Sequence, residues 1–184
     1  IEQGIEQFLE KQKEVDNDVK FYGATFSDSI NYLYKGTDLK TNTNIKETFY
    51  NIKPAGCTAY YDSIMDLISV IDTNYNINDE VVICIITDGY DNTSKKYNAS
   101  DMKSKILSKK QEGWNIIMIG ANSLDTETVC DTYGIGRNSS INTANNVENF
   151  RETFRGISSG VSRVRSGQDN EITFTESERN LSGN

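Results

Sequence analysis

The sequence predicts one α/β domain, doubly wound, with a mostly parallel central sheet, one antiparallel edge strand and helices on both faces. Three observations carry this. Residues 81–86, VVICII, are too few for an ordinary helix and too continuous for a strand with one wet face, so they read as a strand buried on both sides. Residues 114–121, WNIIMIGA, repeat the pattern one helical segment later. Around both runs apolar residues recur at spacings of three and four, the alternation from which right-handed parallel crossovers are built.

In chain order, Ile1, Ile5, Phe8 and Leu9 describe an amphipathic helix ending near Val15, followed by a turn at Asp16, Asn17 and Asp18. Residues 19–26 and 30–34, joined by Ser27, Asp28 and Ser29, read as an antiparallel hairpin. Residues 37–44 are polar and predict a loop, and residues 45–52 support a single turn of helix at most. Pro54, the only proline, holds the backbone extended before a helix that begins at Ala59 and runs to about Asp72, with Ile64, Leu67, Ile68 and Ile71 on one stripe. After the central strand, residues 93–98 are a polar loop. A helix follows over 99–112, with Met102, Ile106 and Leu107 inward, Ser100 or Asn98 as its cap and Gly113 as its stop.

The second buried strand leads to a short helix over 124–133 ended by Gly134, a short strand over 140–142 and a last helix over 147–164. That helix carries Val147, Phe150, Phe154, Ile157, Val161 and Val164 at periods of three and four. Residues 1–166 form the expected domain. Residues 167–184 are polar and read as a tail, within which residues 172–175 could pair as a strand.

Composition narrows the function classes. The chain has 184 residues, with 27 acidic against 19 basic side chains and a formal net charge of −8, so it lacks the basic footprint of a nucleic-acid binder. No apolar run has membrane-spanning length and no signal peptide is visible, so neither nucleic acid nor membrane is an expected partner and the expected location is cytoplasmic or virion-associated. Cys57, Cys84 and Cys130 show no metal-ligand spacing and read as reduced, mostly buried thiols. With no histidine in the chain, imidazole bases, Ser-His or Cys-His catalysis and ordinary zinc sites are disfavoured.

Candidate chemistry lies at the ends of the strands, where open α/β sheets place their sites. Three segments converge there: residues 56–62 (GCTAYYD), 87–92 (TDGYDN) and 120–122 (GAN). Thr58 stands at or before a helix N-terminus, where its hydroxyl can cap the helix or face a ligand. Asp88 follows a buried strand directly, a costly place for a carboxylate without a partner. Asp91 and Asn92 read equally as a solvated turn or as part of a rim. Tyr60, Tyr61 and Tyr90 are ordinary surface aromatics or partner contacts, since tyrosine is enriched at interfaces.

On these residues the chain resembles a von Willebrand factor A domain, a Rossmann-like fold, in the branch common in bacterial, phage and viral proteins. The resemblance spans nearly the whole chain. It rests on the GxTxxxD segment from Gly56 to Asp62, the TDG segment at Thr87, Asp88 and Gly89, the GAN after the next strand, and the helix-Gly-Ile pattern over 132–135. It implies a metal ion-dependent adhesion site (MIDAS) with Thr58 and Asp88 as metal ligands, supported by Gly56, Asp62, Gly89, Asp91 and Asn92. Asp62 is expected to hold the loop rather than touch metal. The implied cofactor is Mg²⁺, or Mn²⁺ or Ca²⁺, a hard cation suited to oxygen ligands. The implied function is non-catalytic: a protein partner, alone or within a larger assembly, completes the coordination with an exposed Asp or Glu.

One departure bears on all of this. The family's first strand, ending in DxSxS, has no counterpart in the chain, which opens at Ile1 inside a helix. The metal assignment is therefore conditional on such a strand upstream of Ile1. Residues 172–175, or a strand from another chain, are the other candidates for its place. Two further readings stand beside the binding module: a Mg²⁺-dependent phosphohydrolase using Asp88 and Asp91, and an assembly component whose metal site has decayed.

Overall fold

The computed structural model describes residues 2–14, 18–41, 56–121, 124–144 and 146–183. Helix α1, Glu2–Lys13, precedes strands β1, Lys20–Phe26, and β2, Ile30–Asp38, which pair antiparallel as the hairpin pattern predicts. Strand β2 runs on through Asp38, into what the sequence suggested was loop. The expectations for Val15, Asp16, Asn17, residues 42–52, Pro54 and Asn122 lie outside the described residues. Helix α2, Tyr60–Asp72, leads to β3, Val82–Thr87; helix α3, Ala99–Gln111, leads to β4, Asn115–Ala121. Helix α4, Thr126–Tyr133, stops at Gly134, whose φ of 77° is a left-handed cap that glycine adopts without strain. Strand β5, Ser140–Thr143, and helix α5, Val147–Arg165, complete the predicted order, and an unpredicted short helix α6 spans Glu176–Leu181.

The predicted single sheet is split in two. Strands β3, β4 and β5 form a parallel sheet in that order, with Thr87 opposite Gly120 in the register, and the β1–β2 hairpin is a separate sheet. The same helical layers nevertheless cover both. On one face Ile83, Ile85, Ile116 and Met118 pack with Ile64, Ile68, Met102 and Ile106, and Tyr22 and Phe26 of the hairpin join that cluster. On the other face Ile117 and Ile119 pack with Phe150, Phe154 and Ile157, and Val82 and Ile86 lie against them. Ile5 and Phe8 of α1 touch this second cluster and also the cluster of Leu9 and Leu39, against which Val19, Phe21 and Tyr34 of the hairpin pack. Hairpin and parallel sheet thus share their helical cover, with a lane beside β3 that no strand fills among the described residues. The close fit of α1 is set by Gly4, where a Cβ would stand 2.5 Å from the Phe154 ring.

The lane corrects the expectation that residues 81–86 are covered on both sides. Ile83, Ile85 and Thr87 are buried, Val82 and Ile86 are half-buried, and Cys84 is exposed. Cys84 is exposed as a residue, yet desolvation of its thiol pushes the pKa up to about 12. Cys57 is also exposed, so of the three thiols only Cys130 is buried.

Residues 167–184 are folded rather than a tail. Ile172 and Phe174 are buried in the α5 cluster. The Ile172 N–H donates to Asn115 Oδ1 at 2.7 Å and the Phe174 N–H to the Asn138 carbonyl at 2.8 Å. Arg163 binds Asp169, Glu178 and the Thr173 carbonyl, while Arg179 donates to the carbonyls of Arg137, Asn138 and Ser140. Residues 172–175 therefore lie beside β4 and α5, and do not fill the lane at β3. Two apolar residues in a polar stretch are too few to raise a periodic signal, and the arginines that fasten them act across the segment's boundary, Arg163 reaching into it and Arg179 out of it to residues 137–140.

Smaller differences follow from tertiary packing. Leu107 and Val147, expected inward, are 44% and 55% exposed. The cap of α3 is Asn98, which accepts from the Ser100 and Asp101 N–H groups while Asp101 accepts from the Asn98 N–H. Lys109, on the same helix, is only 4% exposed. Its ammonium meets Asp72 and Glu112 and sits 4.7 Å from the Trp114 ring centroid. Hydrogen bonding from Lys109 holds the Asp72 carboxyl below its usual pKa. Burial lowers the Lys109 pKa, but its bonds to Asp72 and Glu112 outweigh that and hold it raised. The Asp72 contribution to stability is thus present above about pH 4 and lost as pH falls through its depressed folded value; the Lys109 contribution is present below about pH 10.4 and lost on further rise. Lys109→Met keeps the apolar stem but removes the charge, so the drop in melting temperature between pH 7 and pH 3 is expected to shrink. An unchanged drop would refute the role of this pair.

Candidate functional site

At the carboxyl end of β3, the buried Thr87 hydroxyl donates to the Gly89 carbonyl at 3.1 Å and turns the chain. A Cβ at Gly89 would stand 3.8 Å from Thr58 Oγ1, so Thr58 lies beside the Asp88–Gly89 peptide. The two loops are laced together. The Thr58 N–H donates to Asn92 Oδ1 at 2.8 Å, and the Asn92 N–H returns to the Thr58 carbonyl at 3.0 Å. Asp91 accepts from the Tyr61 N–H at 3.3 Å and from both the N–H and hydroxyl of Ser94. The Ser94 hydroxyl oxygen in turn accepts from the Asp62 N–H at 3.1 Å.

Asp62 closes the far end of this lacing. Its carboxylate accepts from the backbone N–H groups of Lys95, Lys96 and Tyr97 at 2.9, 3.0 and 2.9 Å. Burial raises its pKa, but those three donors and the nearby Lys96 charge prevail and leave it lowered. Asp62 therefore holds the loop, and Asp91 and Asn92 do likewise. None of the three has the character of a loose solvated turn.

Two oxygen groups remain unengaged. Ala59, not Thr58, is the N-cap of α2, and it supplies no side-chain cap. Among the described residues the Thr58 hydroxyl has no hydrogen-bond partner, and neither has the exposed Asp88 carboxylate. Gly56 is exposed, with open space around it. The hairpin turn joins the same end of the molecule: the Ala59 N–H donates to the Ser27 carbonyl at 2.6 Å, and a hydrogen bond to Asp28 raises the Cys57 thiol pKa. The sequence did not single out Asp28, Ser94 or Tyr97. Their links run through backbone groups or long-range contacts, which leave no spacing signature.

The three tyrosines expected as partner contacts separate. Tyr60 is fully buried, stacked on Tyr133 at 4.9 Å between centroids, with its hydroxyl 3.6 Å from Met118 Sδ; it is core and not a contact residue. Tyr61 is half-buried, edge-on to both Tyr60 and Tyr133. Tyr90 is 52% exposed.

Thr58 and Asp88 suit a hard divalent ion, but two donors are too few for a six-coordinate shell. Among the described residues no group of three or more His, Cys, Asp or Glu side chains gathers to hold a metal. The donor set fits a cation only as part of a larger shell.

The architecture defines a von Willebrand factor A-like fold. No family model matches the chain, and no curated protein does. Among solved structures it is similar to proximal thread matrix protein 1 from the mussel byssus. The TM-score is 0.61 at 19% identity, covering 89% of this chain and 40% of that one. The same mussel protein with a zinc-occupied MIDAS motif gives 0.62 at 17% identity, covering 84% of this chain and 41% of that one. A second crystal form gives 0.55 at 17% identity, with 90% and 39% covered. The chain thus spans about two fifths of the length of these proteins. Among the described residues, no helix is long and apolar enough to cross a membrane.

Proposed function

We propose that this chain is a non-catalytic protein-interaction module. In this reading a divalent cation, Mg²⁺ or its substitutes Mn²⁺ and Ca²⁺, is held by Thr58 and Asp88 and by further oxygen ligands from a strand seated in the lane beside β3. A carboxylate from the partner protein completes the shell. The observation that carries it is the pairing of unengaged oxygens. The side chains of Asp62, Asp91, Asn92 and Ser94 are spent on lacing the two loops together, while the Thr58 hydroxyl and the Asp88 carboxylate have no hydrogen-bond partner among the described residues. A site with so few protein charges leaves the cation electrophilic toward an incoming carboxylate. The bonds that Asp91 accepts from Tyr61 and Ser94 weigh against the phosphohydrolase reading, which needs that carboxylate at the metal.

Mn²⁺ titration followed by water-proton relaxation tests the proposal. The chain alone is expected to bind weakly, with Kd on the order of 10⁻³ M, and Asp88→Asn is expected to abolish binding with the melting temperature unchanged. Binding indifferent to Asp88→Asn and to Thr58→Ala would favour a decayed site. Turnover of phosphate esters that vanished in Asp88→Asn would overturn the non-catalytic assignment.

A further inference from the structure

The two edges of the parallel sheet are treated differently. Strand β3 pairs with β4 alone, and its other edge has no strand partner among the described residues. Strand β5 likewise pairs only with β4, but its outer edge is covered by α6. The Ser140 carbonyl, at the start of β5, accepts from Arg179 Nη1 at 2.8 Å, and the Ala144 N–H, just past its end, donates to the Ser182 carbonyl at 3.4 Å. Polar groups of alternate strand residues point to the same side, so residues 140, 142 and 144 turn theirs toward α6 and away from β4. Arg179 Nη2 also reaches the carbonyls of Arg137 and Asn138 at 3.0 and 3.1 Å. Every hydrogen bond that Arg179 makes among the described residues thus goes to a backbone carbonyl, and none to a carboxylate.

We propose that Arg179 is an edge plug, which closes β5 against pairing with a second copy of this chain and leaves β3 as the strand-accepting edge of the parallel sheet. Its guanidinium puts donors where the N–H groups of a neighbouring strand would stand, and a charged side chain there is a standard guard against edge pairing. The plug is seated from behind. A Cβ at Gly160 would lie 2.7 Å from Ile172 Cγ2 and one at Gly156 3.4 Å from Phe174 Cδ1, so α5 has room for the segment because both positions are bare. The Phe174 ring lies in turn 5.8 Å from the Arg179 guanidinium. Arg163 fixes the segment at a different place, through Asp169, Glu178 and the Thr173 carbonyl, without touching the edge of β5. With the plug gone, the occupant is a second β5, because one strand edge is complementary to itself about a two-fold axis. None of this depends on a cation.

The test compares the parent with Arg179→Met, which keeps the apolar stem, and with Arg163→Met, which loosens the same segment elsewhere. Amide exchange is read by mass spectrometry and association by sedimentation velocity over a dilution series. In Arg179→Met, exchange within residues 140–144 is expected to quicken about tenfold in dilute samples while residues 116–121 stay protected. On concentration this variant is expected to dimerise and to regain protection at residues 140–144. Arg163→Met is expected to melt lower but to stay monomeric, with residues 140–144 exchanging as in the parent. Arg179→Lys keeps charge and stem but lacks the fork that spans three carbonyls, so its exchange should be intermediate; it carries the test if the methionine variant does not fold. Parent-like protection in the lysine variant overturns the plug. So does a pair of methionine variants that lose stability alike with neither dimerising, which would make Arg179 an ordinary anchor of α6. A parent that dimerises as strongly as Arg179→Met also overturns it.

Discussion

Tyr60→Ala is expected to lower the melting temperature by roughly 10 °C, while Tyr90→Ala leaves it nearly unchanged. Truncating a buried aromatic costs about 3–5 kcal/mol, and each kcal/mol shifts the midpoint by about 2–4 °C in a chain of this size. Tyr60 sits near the top of that range because four elements meet on its ring. It stacks on Tyr133 of α4, meets Phe26 of β1 at 6.0 Å between centroids, adjoins Tyr61 of α2 and reaches Met118 of β4. Its loss would open a cavity where the hairpin is pinned to the parallel sheet, and the hairpin shares no strand ladder with that sheet to compensate. Tyr90 is half exposed, and among the described residues no ring contact is made to it. Thermal unfolding followed by circular dichroism decides the matter, and a Tyr60→Ala protein melting within a few degrees of the parent would remove Tyr60 from the core.

The contrast between those tyrosines shows where the sequence is informative and where it falls silent. Residues 60, 61 and 90 flank the same loops, and nothing in their spacing says that Tyr60 turns inward as the first residue of α2 while Tyr90 turns out. Helix and strand identities were legible, because periods of two and 3.6 are properties of a local window. Met102 and Ile106, Phe150 and Phe154, and the unbroken burial of β4 all follow from them. Exposure of Leu107 and Val147 does not, since a helix flank is wet or dry according to what lies opposite. The folded C-terminal segment escaped for the same reason: Arg163 and Arg179 anchor it by contacts ten or more residues away that have no periodic trace. At the site, the sequence pointed to residues 56–62 and 87–92, and hydrogen bonds lace those two segments together. The identity of the donors that Asp62 binds, three successive N–H groups, became visible only in three dimensions.

The open lane leads to the second large effect. A synthetic peptide of about eight residues, apolar along its length and ending in Asp-x-Ser-x-Ser, is expected to bind beside β3, raise the melting temperature and tighten the Mn²⁺ site. Strand β3 pairs only with β4, so its other edge carries backbone donors and acceptors without strand partners among the described residues. Each bond made there contributes about 1 kcal/mol net, and apolar side chains would cover Val82, Cys84 and Ile86, which are half-buried or exposed. At a hundredfold excess over its Kd the peptide would stabilise the chain by about 2.7 kcal/mol, or roughly 5–10 °C. Amide exchange within residues 82–87 should slow, as expected for donors newly enclosed in a ladder. A control peptide with Ala in place of the Asp and both Ser residues separates the two roles. It should reproduce the thermal shift and leave Mn²⁺ affinity at the level of the chain alone, because the lane needs any compatible strand whereas the cation needs its oxygens. If neither peptide shifts the melting curve, the edge of β3 is closed in solution and a strand-completed metal site cannot form there. If both tighten Mn²⁺ equally, the added ligands are not the donors, and Thr58 and Asp88 bind the ion by ordering alone.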